Sequence, residues 1–405
     1  MEVTIAKEEQ KNNRIDWIDI FKAICIILVV LGHSTGLFNP YVYQFHMAAF
    51  FFASGLTCKI NKKTSLSIVM NKFFTILLPL MVMVILGTIG TVILYKTNVY
   101  QGLIDMPYLG FDTIPVYLKT GDLYLQFLGA SWFLPTLIGV FLVQKIIILI
   151  SRNKPGISYA LLTIALYIVG VTLIKNGIDK HLTPFKLDLI CIAQIFFAFG
   201  FAFSYYKEKI HIKMPDKLSN RKWVMPLGTC LLLCINIGFF AMFKYALRIT
   251  MDFPSKSFPN FFWIILSALN GICFIGIISY LITLIPRKFR SWISFIGKNS
   301  LGVLFLHFIV FKIIMLIAYK NGAITQQELM NVVPPASLSD KFWPVFTLFG
   351  VAVPVIIWWG INKIPFINFL FGGDKKHYNS IYLALVNSKF GKKVCSIKTK
   401  IYKVL

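Results

Sequence analysis

Long apolar stretches alternate with short polar segments along the whole chain. Ten stretches stand out, at roughly 17–38, 43–60, 73–95, 131–150, 157–174, 188–206, 224–243, 261–284, 294–318 and 342–361. Most are close to 20 residues, the length that carries an α-helix across about 30 Å of hydrocarbon. The second is short, and several are interrupted by glycine or polar residues. The pattern predicts an all-α protein, a polytopic membrane helix bundle of about ten transmembrane helices.

The segments between the stretches set orientation, because lysine and arginine collect on the cytoplasmic side. Segments 1–16, 59–72, 151–156, 207–223, 285–293 and 362–405 carry 27 basic residues, and the alternate set carries 10. Both termini are therefore expected in the cytoplasm, which agrees with an even number of spans. Three regions follow: a cytoplasmic N-terminal segment 1–16, a transmembrane domain 17–361, and a basic amphipathic tail 362–405 suited to an anionic leaflet. Residues 1–16 are polar and mixed in charge, so the first stretch is expected to be a retained span rather than a cleaved leader. Trp17, Trp132, Trp223, Trp263 and Trp343 fall near predicted interfaces. The outer segment 96–130 combines aromatic and acidic residues, a composition open to sugar binding or to a lid.

Composition narrows the classes. Of 405 residues 57% are apolar and 14% charged, with a mean hydropathy of +0.72. Disordered, collagenous and disulfide-scaffold proteins are excluded. The net charge of +25 would suggest nucleic acid in a soluble protein. Here it reads as topology signal and lipid-headgroup contact, with no nucleic-acid partner. Cysteines avoid the outer segments, so no structural disulfide is expected. No Cys/His spacing resembles a metal site.

Ionisable residues inside spans are costly and call for a reason. The first span holds Asp19, Lys22 and His33. Asp19 and Lys22 are i and i+3, and Lys22 and His33 are eleven apart, so all three share one stripe. His33 lies about 16 Å beyond Lys22 along the axis. His46 enters the second span just past the outer turn, at a depth similar to His33. Gly32 and Gly36 form a GxxxG, expected to admit a close helix neighbour. The ninth stretch adds Lys298, Asn299 and Ser300 near its inner start and His307 mid-span. Gln144, Gln194, Asn236 and Asn270 read first as interhelical hydrogen-bonding residues. A neutral imidazole takes a proton from a hydroxyl, and a cationic inner mouth suits a phosphate-bearing donor. Spacing alone leaves group transfer and proton-coupled transport both open.

The run Arg14-Ile-Asp-Trp-Ile-Asp-Ile-Phe-Lys22 to Leu31-Gly-His33-Ser, then Phe45-His46-Met and Phe50-Phe-Phe-Ala-Ser54-Gly55, resembles the acyltransferase-3 family of membrane acyltransferases. Trp132-Phe-Leu-Pro135 and Ile296-Gly-Lys-Asn299-Ser300-Leu to His307 are similar to it as well. The variant looks like the branch labelled fucose 4-O-acetylase and related polysaccharide O-acetyltransferases. The resemblance implies an O-acyltransferase of a bacterial-type cell membrane. It moves an acetyl group from acyl-CoA, its donor substrate, to a polysaccharide or lipid-linked sugar hydroxyl, with no tightly bound cofactor and no metal. His33 matches the essential family histidine. Lys22 stands where arginine is common and lacks the bidentate fork. The catalytic set so implied is His33, His46, Asp19 and Lys22. Arg14, Lys22, Asn299 and Ser300 would hold the donor, with the basic loops 207–222 and 287–290 nearby. Ser54, Trp132 and His307 would meet the acceptor. His33 would act as general base or carry the acyl group as an acyl-imidazole. A glycan exporter or a membrane sensor are the competing classes. The 44 residues after 361 are too few for an added domain, so the membrane domain is expected to act alone.

Overall fold

The computed structural model describes residues 2–58, 70–97, 126–152, 154–177, 186–207, 224–373, 378 and 380–381, with side chains from residue 17 onward. The described residues are almost entirely helical. We number the main helices α1 Glu2–Ser34, α2 His46–Leu56, α3 Leu78–Lys96, α4 Phe133–Ile150, α5 Ile157–Lys175, α6 Leu187–Tyr206, α7 Val224–Ala241, α8 Trp263–Thr283, α9 Arg287–Lys298, α10 Ser300–Lys320 and α11 Ala336–Ile361. Among the described residues nine helices are long and apolar enough to cross a membrane. Every backbone group in such a span must be satisfied internally, which is why the spans are helices.

Two predicted spans are built differently. The second, expected over 43–60, is helical only over His46–Leu56. Eleven residues reach about 16 Å, half of a hydrocarbon layer. The chain spends residues 38–45 on consecutive turns, with a four-residue helix Asn39–Val42 opened by Pro40. The ninth, expected over 294–318, is split. Asn299 leaves the helical region (φ −105°, ψ 16°), ending α9 and starting α10. Its side-chain amide donates back to the Phe295 carbonyl at 2.8 Å. α9 is thus a separate amphipathic helix, with Arg287, Lys288 and Arg290 interleaved with exposed Phe289 and Trp292.

α1 is the hub: α2, α8, α9, α10 and α11 all pack on it. In lipid, apolar side chains gain little by leaving the solvent, so helices associate where small residues let backbones close in. Gly55 of α2 and Gly200 of α6 face each other in this way. A Cβ on Gly55 would lie 2.1 Å from the Phe197 carbonyl oxygen, and one on Gly200 2.0 Å from that of Phe52. Gly297 of α9 sits on the backbone of Asp19. The expected GxxxG does not work this way. Gly36 lies beyond the end of α1 with no heavy atom within 4 Å of a built Cβ, and Gly32 faces only side chains.

The segment after α7 is more than a loop. Phe253 is fully buried and stacks on Trp132 at 5.7 Å. Met251 N–H donates to the Tyr43 carbonyl at 2.7 Å. Lys256 pairs with buried Asp188 at 2.5 Å. These contacts fix the turn that carries His46. Trp132 is accordingly a core ring, not an interfacial one, and Trp223 lies outside the described residues, as does the aromatic-acidic run 98–125. Of the basic tail, 374–377, 379 and 382–405 also lie outside them. Gln144, Gln194 and Tyr159 hydrogen-bond one another across α4, α5 and α6, and Asn270 donates to the Asn236 carbonyl across α7 and α8.

Candidate active site

A cavity of about 550 Å³ lies between α1, α2, α9, α10, the start of α4 and the turn before α3. Its lining follows helical spacing on three helices at once. On α1 the residues are Asp19, Lys22, Ile26 and Val29; the next on that stripe is His33. On α10 they are Ser300, Leu301 and Leu304; three further on is His307. α2 runs the opposite way, from Ser54 and Ala53 through Phe50 to Met47, and the next residue is His46. Three strands of lining therefore converge on three histidines, and the cavity ends about one helical turn short of them.

The two ends differ chemically. At one, Asp19, Lys22, Lys72 and Lys298 line the cavity together with Ser54, Thr75 and Ser300. Lys298 Nζ is 3.9 Å from the Asp19 carboxylate. Lys72 Nζ sits 3.5 Å from the centre of the Phe141 ring, a cation–π contact. Three lysines against one carboxylate leave this mouth positive, which suits phosphate. Toward the other end the walls are apolar: Ile26, Val29, Met47, Phe133 and Leu304. Such walls exclude water and strengthen any polar interaction made beside them.

The histidines form one cluster. The His33 and His307 rings stack with centroids 5.5 Å apart, and Phe308 lies 4.9 Å from His33. His46 is 6% exposed, lies within electrostatic range of His33, and packs on Tyr43 at 4.9 Å. His46 Nδ1 is 2.8 Å from the Val42 carbonyl, and His307 Nδ1 is 2.8 Å from that of Val303. A carbonyl oxygen only accepts, so both rings must carry their proton on Nδ1. In the neutral ring each then presents Nε2 as a lone pair. His307 Nε2 is buried with no hydrogen-bond partner among the described residues. A buried acceptor left unpaired costs about 1–3 kcal/mol, and this one is held ready beside His33.

The structure thus brings together most of the residues marked in the sequence. Asp19, Lys22, Ser54 and Ser300 line the cavity, and His33, His46 and His307 cluster beyond its far end without lining it. Asn299 shapes the site from behind, as the break between α9 and α10. Trp132 does not line the cavity, whereas its neighbour Phe133 does. Arg14 lies on α1, and its side chain is outside the described part. Lys72 was missed: it was counted only among the charges of a basic inner segment. The signal that could have found it is its position at the very start of a span, at the depth expected for Lys22.

The acyltransferase-3 family profile, described as an acyltransferase domain, matches residues 15–373. No curated protein and no solved structure matches the chain significantly.

Proposed function

The chain belongs to the acyltransferase-3 family, and on that premise we propose that it moves an acetyl group from acyl-CoA to a hydroxyl of a cell-surface or lipid-linked polysaccharide. The observation that carries this reading is the cavity: cationic at one mouth, apolar along its length, and pointing at a cluster of three histidines about one helical turn beyond its end. The phosphates of acyl-CoA dock at Lys22, Lys72 and Lys298, with Arg14 on the same helix and Ser300 beside them. The thioester runs toward His33. Asp19 holds Lys298 and tempers the positive mouth. The positive-inside bias sets this mouth toward the cytoplasm of a bacterial-type cell, with 17–361 as the transferase region and 1–16 and 362–405 flanking it.

His33 acts as general base. It takes the proton of the acceptor hydroxyl as that oxygen attacks the thioester carbonyl. The C–O bond of the ester forms, the C–S bond breaks, and the proton passes to the departing thiolate of CoA. His46 and His307, each with a lone pair on Nε2, accept from neighbouring hydroxyls of the acceptor sugar and so orient it toward His33. Ser54 lies at the cationic mouth with its hydroxyl donating to the Phe50 carbonyl at 2.9 Å, so in this scheme it meets the donor rather than the developing oxyanion. No metal and no tightly bound cofactor enter this scheme, and acyl-CoA is a substrate.

The test is release of free CoA from acetyl-CoA by purified protein supplied with glycan, with mass analysis of the glycan. His33→Ala is expected to lower the rate by about 10²–10⁴, the usual contribution of a positioned base. A folded His33→Ala protein that acetylates at the wild-type rate would sink the mechanism. A wild-type protein that carries glycan across vesicles and releases no CoA would replace transfer with transport.

A further inference from the structure

A second, larger cavity, about 870 Å³, lies on the other face of α1 and α2 from the first. α8 forms its floor, through Leu269, Ile272, Gly276, Tyr280 and Thr283. These residues repeat at three or four, one stripe of the helix. From Leu269 to Thr283 the stripe runs about 21 Å, past the middle of a hydrocarbon layer of about 30 Å. Gly276 deepens the groove, since nothing lies within 4 Å of a Cβ built there.

The groove has one polar end. Arg290 is the one charged residue among those that line it, and its Nη1 donates to the Thr283 carbonyl at 2.9 Å. That bond holds the guanidinium at the groove's mouth. Trp17 stands at the same end, with Lys207 Nζ 5.9 Å from its ring centre. Arg287 and Lys288 are exposed on the same helix, and Phe289 and Trp292 beside them are 64% and 71% exposed. Basic residues interleaved with bare aromatics describe a helix lying in the headgroup plane. An apolar slot of this length with a cationic end at headgroup depth matches one kind of molecule.

We propose that the groove between α1, α8 and α9 binds one anionic glycerophospholipid, its phosphate at Arg290 and one acyl chain along the α8 stripe. The site is separate from the transferase cavity and does not depend on the reaction proposed there.

The test is native mass spectrometry of the purified full chain equilibrated with phosphatidylglycerol or phosphatidylcholine in equal amounts. One phosphatidylglycerol per chain should survive, preferred about fivefold over phosphatidylcholine, the discrimination that one basic residue gives at an anionic surface. Arg290→Gln should erase the preference. Gly276→Leu should reduce retention of both lipids by filling the slot. Should Gly276→Leu fail to fold, Arg290→Gln still decides the matter. Equal retention of both lipids by wild type and Arg290→Gln would mean an annular shell only and would overturn the site. A dimer mass that Gly276→Leu abolishes would overturn it too, by showing that a second copy of the chain covers the groove.

Discussion

Gly297 is where the geometry makes its sharpest demand. It lies in α9 directly over the backbone of α1, next to Lys298 and across from Asp19. A Cβ there would stand 1.8 Å from the Asp19 carbonyl oxygen, 2.7 Å from its carbon and 3.1 Å from Ala23 N, and real Cβ contacts essentially never fall under 3.0 Å. The obstacle is backbone, which has no rotamer to yield. Gly297→Ala must therefore move the helices apart by about 1.2 Å, the step from 1.8 to 3.0 Å. Overpacking of this kind costs about 1–3 kcal/mol, offset in part by the roughly 1 kcal/mol that alanine gains over glycine in a helix. The protein should fold, with a small loss of thermal stability. The site is affected more, because the moving helices carry Asp19 and Lys22 on one side and Lys298 on the other. A displacement of about 1 Å at positioning residues costs roughly 10²-fold in rate, so kcat/KM for CoA release should fall by about that factor. Gly238→Ala, on α7 with no heavy atom within 4 Å of a built Cβ, serves as control and should leave the rate unchanged. Wild-type kcat/KM and stability in Gly297→Ala would show that the crossing of α1 and α9 is not the tight contact that holds the cationic mouth.

Other perturbations probe separate parts. Lys72→Ala should raise KM for acyl-CoA about tenfold with little change in kcat, since a phosphate contact remote from the reacting carbon binds substrate and transition state alike; a loss confined to kcat would place Lys72 elsewhere in the scheme. Lys256→Met strands the buried Asp188 carboxylate, paired at 2.5 Å in the wild type, and should destabilise the protein by about 3–5 kcal/mol, read as a lower unfolding midpoint in detergent. Glu328 is held below the usual glutamate range, first by the Thr325 backbone N–H and then by the Ser337 and Thr325 hydroxyls. Its contribution is full above the unfolded value of about 4.3 and is lost as pH falls through the depressed folded value. Amide protection in 325–330, corrected for the intrinsic exchange rate, should therefore fall on acidification below about pH 4, and Glu328→Gln should show the lower protection already at neutral pH.

How much of this was legible beforehand depends on whether a feature is local. The bundle was legible because apolar runs of 20 residues have few other fates, and eight of the ten predicted stretches correspond to long helices within a few residues. The two differences have local causes that hydropathy averages away. Pro40 and the turns around it delay α2, and the Lys298-Asn299-Ser300 polar run breaks one helix into two. The stripe of Asp19, Lys22 and His33 was legible because eleven residues return a helix to nearly the same direction. His46 followed from the short turn, which forces antiparallel neighbours to similar depth. Contacts between segments distant in the chain were not legible. Nothing around Gly297 says that it meets Asp19, and the GxxxG that looked like a crossing site is not one, while Gly55 and Gly200, 145 residues apart, are. A crossing belongs to a pair of helices, and one sequence displays only half of each pair.

The same distinction explains why the site could be found at all. The α1 and α10 walls of the cavity each write a periodic trace, 19, 22, 26, 29 on α1 and 300, 301, 304 on α10, and the same stripes continue beyond the cavity to His33 and His307. What periodicity cannot supply is phase, the angle at which one trace faces another. Backbone contact supplies it: Gly297 seats α9 on α1, and α10 follows after a single non-helical residue. The stacking of His33 on His307 at 5.5 Å is thus set some ten residues away, at the glycine contact by the cationic mouth. The proposed donor mouth and the histidine cluster are therefore built on the same helices, and a change at the mouth is expected to be felt at the rings.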